Sequence, residues 1–458
     1  MIHQYQIDGT YVVLDVFSGS VHVVDELAYD LIGMYETSSK EEMVSAMLQK
    51  YGCRPDVTQQ EILECIEDIE GLKQEGKLFT EDAYEKVAKS YRMEQRAVKA
   101  LCLHVAHVCN LNCSYCFAGQ GAYRGKCGLM SLETGKKALD FLIAHSGGHV
   151  NLDVDFFGGE PLMNWEVVKA LVAYGRELEK AHHKKIRFTL TTNGMLLDDE
   201  VTEFCNREMH NVVLSLDGRR EVHDRFRKDY QGKGSYDTVV PKFQHFVSKR
   251  GDKSYYIRGT YTHYNTDFLQ DILHMADLGF TELSMEPVVC DPSDPCALTE
   301  QDLPVLKEQY EELAREMIRR NRQGRGFTFY HYMLSLTGGP CIYKRVAGCG
   351  SGTEYLAVTP EGDLYPCHQF VGIPDYCMGN LEQGITNIDL RNQFAACNIY
   401  TRPDCADCWA KLYCAGGCAA NAYHASGSIR GTYPYGCELF RKRIECALWV
   451  KIAEQCGN

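Results

Sequence analysis

The chain has 458 residues, room for several domains, with 45% hydrophobic and 24% charged residues, the balance of a soluble globular protein. Acidic residues outnumber basic ones by 62 to 48, for a formal charge of −14, which argues against a nucleic-acid partner. No apolar run reaches membrane-spanning length and the polar first residues lack the order of a secretory signal, so a cytoplasmic protein with no membrane partner is expected.

In chain order, Tyr11–Val16 and Val21–Val24 read as strands around Ser18–Gly19–Ser20, a hairpin signal. Helical patterns follow at Leu27–Tyr35, Glu41–Tyr51 and Gln59–Gln74, and a short strand is predicted at Lys77–Phe79. Residues 1–79 thus look like a small winged-helix module. Residues 80–97, charged and free of Pro and Gly, are predicted as a connecting helix.

Residues 98–325 alternate strand and helix. Strands are predicted at Leu101–His107, Leu152–Phe157, Ile186–Thr191, Val212–Leu216, Tyr255–Thr262 and Leu283–Pro287, each followed by a helical pattern. Six such units give an α/β fold of parallel strands with right-handed crossovers, closing as a partial (β/α)6 TIM-like barrel. Sites in such folds lie at the carboxyl ends of the strands. Residues 326–458 are Gly- and Cys-rich with little periodicity, a segment that metal clusters would staple.

The 22 cysteines are the anomaly. In a long chain expected to meet a reducing compartment they point to metals or clusters rather than disulfides. Cys109, Cys113 and Cys116 form a C-x3-C-x2-C pattern directly after the first barrel strand. Zinc prefers four ligands with paired C-x2-C spacing, whereas three thiolates on a four-iron cubane leave one iron free. A free iron can chelate the amino and carboxyl groups of S-adenosylmethionine (SAM), and one electron then cleaves a C–S bond to start radical chemistry.

This triad resembles the hallmark of the radical SAM superfamily, and the resemblance extends across residues 98–325. Gly158–Gly159–Glu160–Pro161, after the second strand, resembles the GGE motif that receives the SAM amino group. Thr192–Asn193 and Ser215–Leu216–Asp217 end the third and fourth strands. The resemblance gives Thr192, Asn193, Ser215, Asp217 and Tyr115 to SAM, with Ser215 at its ribose or carboxylate. Arg227, after His223–Asp224, would grip the SAM carboxylate in two-point geometry. Taken singly, these residues fit loop turns and a solvated ion pair equally well.

Cys349-x12-Gly362-x4-Cys367 is followed by Cys405-x2-Cys408-x5-Cys414-x3-Cys418 and then Cys437. This order resembles the SPASM domain, an auxiliary-cluster extension of radical SAM enzymes. The resemblance implies a first auxiliary cluster on Cys349, Cys367 and Cys418, and a second on Cys405, Cys408, Cys414 and Cys437. With the SAM-binding cluster, that makes three 4Fe-4S clusters. Cys341 either completes the first auxiliary cluster or is a bystander that leaves one iron open to a substrate thiolate.

The layout further resembles the SCIFF maturases, through Ala106–Cys113, Phe117–Ala118 and Thr359–Phe370. The resemblance implies an enzyme that forms an intramolecular thioether, sulfur to carbon, in a ribosomally made Cys-rich precursor peptide. It also implies that residues 1–79 bind the leader by β-augmentation as a RiPP recognition element, and that a donor such as flavodoxin or ferredoxin supplies electrons. An anaerobic sulfatase-type formylglycine maturase is the alternative. No side-chain general base is evident.

Overall fold

The structure, a computed structural model, describes residues 1–456 apart from 91–96, 124, 126, 292 and 337–340. It begins with a three-stranded antiparallel sheet of β1 (Ile2–Ile7), β2 (Thr10–Asp15) and β3 (Val21–Val24), with β2 central. Helices α1 (Glu26–Met34), α2 (Lys40–Tyr51) and α3 (Gln59–Gln74) follow. Capping boxes start α2 and α3, where Ser39 and Thr58 exchange bonds with Glu42 and Glu61 and so satisfy orphan N–H groups.

Strand β2 alternates between two cores, because successive side chains on a strand face opposite ways. Val13 packs with Leu31, Ile62 and Ile66 beneath the helices. Val12 and Leu14, with Tyr5 and Ile7 of β1, belong instead to the large core shared with the barrel.

The strand predicted at Lys77–Phe79 does not form; the chain bends there, and Phe79 takes a φ of +54°. The edge of β2 that a third strand needs is occupied by β1, whose His, Gln and Tyr residues concealed it in the sequence. Of the connecting helix expected over 80–97, α4 (Tyr84–Ser90) forms, and its continuation through 91–96 lies outside the described residues.

The second region contains β4 (Ala100–Ala106), α5 (Leu132–His145), β5 (Asn151–Gly158), α6 (Trp165–His182), β6 (Lys185–Thr192), α7 (Asp199–Glu208) and β7 (Asn211–Ser215). It continues with α8 (Arg220–Phe226), α9 (Tyr236–Ser248), β8 (Ser254–Tyr261), α10 (Phe268–Asp277), β9 (Glu282–Pro287) and α11 (Leu303–Arg322). Strands β4 to β9 pair in sequence, all parallel, which is the α/β radical SAM core expected.

The sheet continues past both edges of this core. On one side β10 (Thr328–Phe329) pairs parallel with β9. On the other, β11 (Tyr355–Val358) pairs parallel with β4, and β12 (Asp363–Tyr365), β13 (Gly379–Asn380) and β14 (Gly384–Ile385) extend it antiparallel. The Cys-rich region is therefore built directly onto the first barrel strand. Its helices are α12 (Ile342–Ala347), α13 (Ile388–Ala396), α14 (Lys411–Cys414), α15 (Ala419–Ser426) and α16 (Pro434–Cys456). Helix α16 returns along α11, bridged by Lys307–Glu438 at 2.6 Å and by Lys442–Glu311. Among the described residues no helix is long and apolar enough to cross a membrane.

Candidate active site

The carboxyl ends of β4, β5, β6 and β7 bring the sequence motifs together. The loop that carries Cys109, Cys113 and Cys116 leaves β4. It is pinned to the end of α8 and the residues just beyond it by Ser114 N–H donating to the Phe226 carbonyl at 3.2 Å and Asn112 N–H to the Lys228 carbonyl at 2.7 Å. The three thiols act on one another electrostatically. Burial pushes Cys109 up to about 12 and Cys113 up to about 11, the latter against the pull of Arg227. Such thiols are neutral near pH 7, and a bound cation is what removes their protons.

Gly158 and Gly159 seat this loop. A Cβ at Gly158 would lie 2.2 Å from the Ala106 carbonyl oxygen, and one at Gly159 would lie 2.2 Å from that of Val108. Their close approach is thus to the chain's own backbone. Gly159 N–H donates to the Ala106 carbonyl and Glu160 N–H to that of Val108. The Gly158 carbonyl, at φ +126°, accepts from Tyr123 Oη at 3.0 Å.

Glu160 ties two strand ends together. Its Oε1 accepts from Leu162 N–H at 3.0 Å and Thr192 Oγ1 at 2.8 Å, and its Oε2 from Asn193 N–H at 2.8 Å. Burial outweighs these donors and raises its carboxyl to about 7. Asn193 reaches from there to the triad, with Nδ2 at 2.8 Å from Asn110 Oδ1 and 3.6 Å from Cys109 Sγ.

A second polar knot lies beyond β7, past Ser215. Buried Asp217 accepts from Arg227 Nε and Nη2 at 2.9 and 3.1 Å, from Tyr115 Oη at 2.5 Å and from Thr260 N–H at 3.1 Å. The sequence assigned Tyr115, Asp217 and Arg227 separately to a ligand. In the structure two donors of Arg227 serve Asp217, so the guanidinium is oriented by the protein itself.

The C-terminal cysteines form two groups. Cys349, Cys367 and Cys418 act on one another, and burial raises the thiols of Cys367 and Cys418. Cys405, Cys408, Cys414 and Cys437 make the second group; Cys414, raised by burial to about 12, feels the other three. Cys341 is exposed at the start of α12, and it is not among the side chains acting on Cys367 or Cys418. Among the described residues no three His, Cys, Asp or Glu side chains could hold a single metal ion. A cubane asks for something else: one soft thiolate per iron. Grouped, buried thiols fit that demand.

The sequence did not single out the layer between the triad and the first of these groups. His104 Nδ1 lies 3.1 Å from His107 Nε2, with the ring of Tyr123 against both. His368, next to Cys367, has its ring 5.6 Å from Phe117, next to Cys116, and 5.1 Å from Phe157. Cys102 and His104 share the face of β4 toward Tyr123 and Phe157, opposite Leu101 and Leu103.

Residues 103–278 match the radical SAM superfamily and residues 349–409 an iron–sulfur cluster-binding domain, SPASM. The radical SAM cyclopropyl synthase TigE of Paramaledivibacter caminithermalis is 22% identical over 76% of this chain and 73% of its own length. A cysteine-type anaerobic sulfatase-maturating enzyme of Clostridium perfringens is 23% identical over 68% of this chain and 85% of its own. Among solved structures, anSMEcpe with bound AdoMet superposes with a TM-score of 0.63 at 20% identity, covering 78% of this chain and 99% of that one. Streptococcus suis SuiB bound to precursor peptide SuiA gives 0.53 at 15% identity, covering 94% and 97%. The chain therefore carries a radical SAM domain followed by an SPASM domain, and its cofactors are SAM, the 4Fe-4S cluster that binds it, and auxiliary clusters.

Proposed function

We propose that this enzyme is a peptide maturase that closes a thioether between a cysteine sulfur and a carbon of a ribosomally made Cys-rich precursor peptide. The observation that supports a peptide substrate is the likeness to SuiB, solved with its precursor peptide; the thioether follows the resemblance to the SCIFF maturases. The match to SuiB spans 94% of the chain and so reaches into residues 1–79. The likeness to anSMEcpe spans 78%.

In this reading Cys109, Cys113 and Cys116 hold the SAM-binding cluster. Cys349, Cys367 and Cys418 hold the first auxiliary cluster, and Cys405, Cys408, Cys414 and Cys437 the second. When bound, the SAM-binding cluster supplies the electron that cleaves SAM to the radical that takes hydrogen from a peptide carbon. Gly158 and Gly159 hold the loop, and Glu160 accepts from the SAM amino group beside Thr192 and Asn193. Arg227, fixed by Asp217 and Tyr115, faces the carboxylate, with Ser215 nearby. A leader segment docks on the module formed by residues 1–79, and a flavodoxin or ferredoxin delivers electrons.

Co-expression with a Cys-rich peptide encoded beside this chain tests the proposal. The expected product has lost two hydrogens and resists thiol alkylation at one cysteine. An aldehyde at that cysteine would instead make the enzyme a formylglycine maturase and end the thioether reading.

The raised carboxyl of Glu160 makes a second prediction. SAM's amino group, neutral once it chelates iron, donates to the carboxylate, so below about pH 7 binding must expel a proton from Glu160 in addition to the one that chelation takes from the ammonium. On account of Glu160, affinity is then expected to weaken by up to a further factor of about ten per unit as pH falls below that value. Equilibrium dialysis under anaerobic conditions reads this. Glu160→Gln should bind more weakly at pH 8 and show a shallower slope than the wild type between pH 6 and 7; an unchanged slope removes Glu160 from the SAM amino group.

A further inference from the structure

The two C-terminal cysteine groups sit in different electrostatic surroundings. Cys437 lies in the first turn of α16, and Arg441 and Arg443 follow on the same helix. Arg441 acts on Cys437, Arg402 on Cys405 and Arg443 on Cys414. The acids beside this group are already engaged: Asp404 accepts from Thr432 Oγ1 at 2.6 Å, and Glu438 pairs with Lys307 and Arg441.

Arg443 is the anomaly among these cations. Its guanidinium lies 5.9 Å from the ring centre of Tyr310 and 5.4 Å from that of Phe440. Its Nε is buried with no hydrogen-bond partner among the described residues. Of the groups acting on it, Glu286 is the carboxylate, and that carboxylate is bound to Arg258; the other group that can become anionic by ligating iron is Cys414. A buried charge costs several kcal/mol unless an opposite charge answers it. Four thiolates around a four-iron core form a net anionic unit, so a cluster at the second group supplies that answer. Beside the first group Glu286 and its partner Arg258 come as an ion pair, Glu286 acting on Cys418 and both on His368 next to Cys367.

We propose that Arg443 is the counter-charge of the cluster held by Cys405, Cys408, Cys414 and Cys437, and that it raises that cluster's reduction potential. The inference rests on the cluster assignment above. Reduction adds one electron to an already anionic unit. A fixed cation in a low-dielectric setting favours that state and raises the potential.

The test is an anaerobic redox titration of the full-length holoenzyme with dithionite, followed by electron paramagnetic resonance. Variants lacking Cys405 and Cys414, or Cys349 and Cys367, identify each signal. If removing Cys405 and Cys414 leaves iron content and all signals intact, the cluster assignment itself fails. With that assignment standing, the four-cysteine cluster of the wild-type protein gives the reference potential. Arg443→Met should move that potential downward and leave the three-cysteine cluster in place, while Arg443→Lys should restore most of the difference. The proposal is overturned by an unmoved potential in Arg443→Met with its iron retained. Should Arg443→Met fail to hold its cluster, Arg443→Gln takes its place, and an unmoved potential there overturns the proposal equally.

Discussion

Replacing Cys109, Cys113 and Cys116 together with alanine is expected to reduce 5′-deoxyadenosine formation to the level of an enzyme-free control. The three thiols act on one another at the end of β4, and among the described residues no other cysteine group lies on that loop. With no thiolate left, no iron is anchored there, so the loss is of the reaction rather than of a fraction of its rate. The fold has independent support. The loop is held by backbone bonds to Lys228 and Phe226, and Gly158 and Gly159 pack on backbone rather than on sulfur. The variant should therefore keep its circular dichroism spectrum and lose about one third of its iron, the share of one cluster in three. Chromatography of anaerobic reactions with dithionite and SAM measures the nucleoside. Continued SAM cleavage by the triple variant would falsify the triad's role, and loss of all the iron would show that the clusters are not independent.

The parts of this molecule that could be read from sequence were those with a short-range signature. The six parallel strands came from alternating apolar runs and helical periods, and β4 to β9 lie where those runs predicted. The triad of Cys109, Cys113 and Cys116 was found through spacing, because it is written into neighbouring residues, whereas the division of the C-terminal cysteines into two groups came from the resemblance, since Cys349, Cys367 and Cys418 lie far apart in the chain. Long-range pairing was not legible. Nothing in Tyr355–Val358 announces that it pairs with β4, and nothing in Ile2–Ile7 outweighs its polar residues until β2 is beside it. The Asp217–Arg227–Tyr115 knot joins two loops and a strand end, so its members were read as separate ligand contacts rather than as partners of one another. His104 and His368 were passed over because a single histidine carries no pattern; only the fold shows them between the triad and the first C-terminal cysteine group.

Leader binding is expected to depend on the free edge of β3, and a single proline should weaken it at least tenfold. Truncating residues 1–79 would be a poor test. Ile7, Val12, Leu14 and Val16 are buried in the core shared with the barrel, and each contributes roughly 1.5–3 kcal/mol, so their joint loss rivals the whole stability of a domain. The edge can be perturbed without touching them. Strand β1 packs toward the body, with His3 stacked on Trp409 at 3.6 Å and Tyr5 Oη donating to the Glu445 carbonyl. That leaves β3 as the edge for an added strand, with Val23 half exposed. Asp15 N–H donates to the Ser20 carbonyl. The antiparallel alternation from that pair turns His22 and Val24 toward β2, and Val21 and Val23 outward. Val23→Pro therefore deletes an outward N–H and spares the ladder, as proline on edge strands allows. Fluorescence titration with a labelled leader peptide measures the affinity, and SAM cleavage without peptide serves as the control for folding. Unchanged affinity in a folded Val23→Pro protein would place the leader elsewhere. Lost affinity with intact cleavage is the result that β-augmentation requires, because each backbone bond of the added strand contributes only about 1 kcal/mol net and a proline at mid-edge also breaks the register of its neighbours.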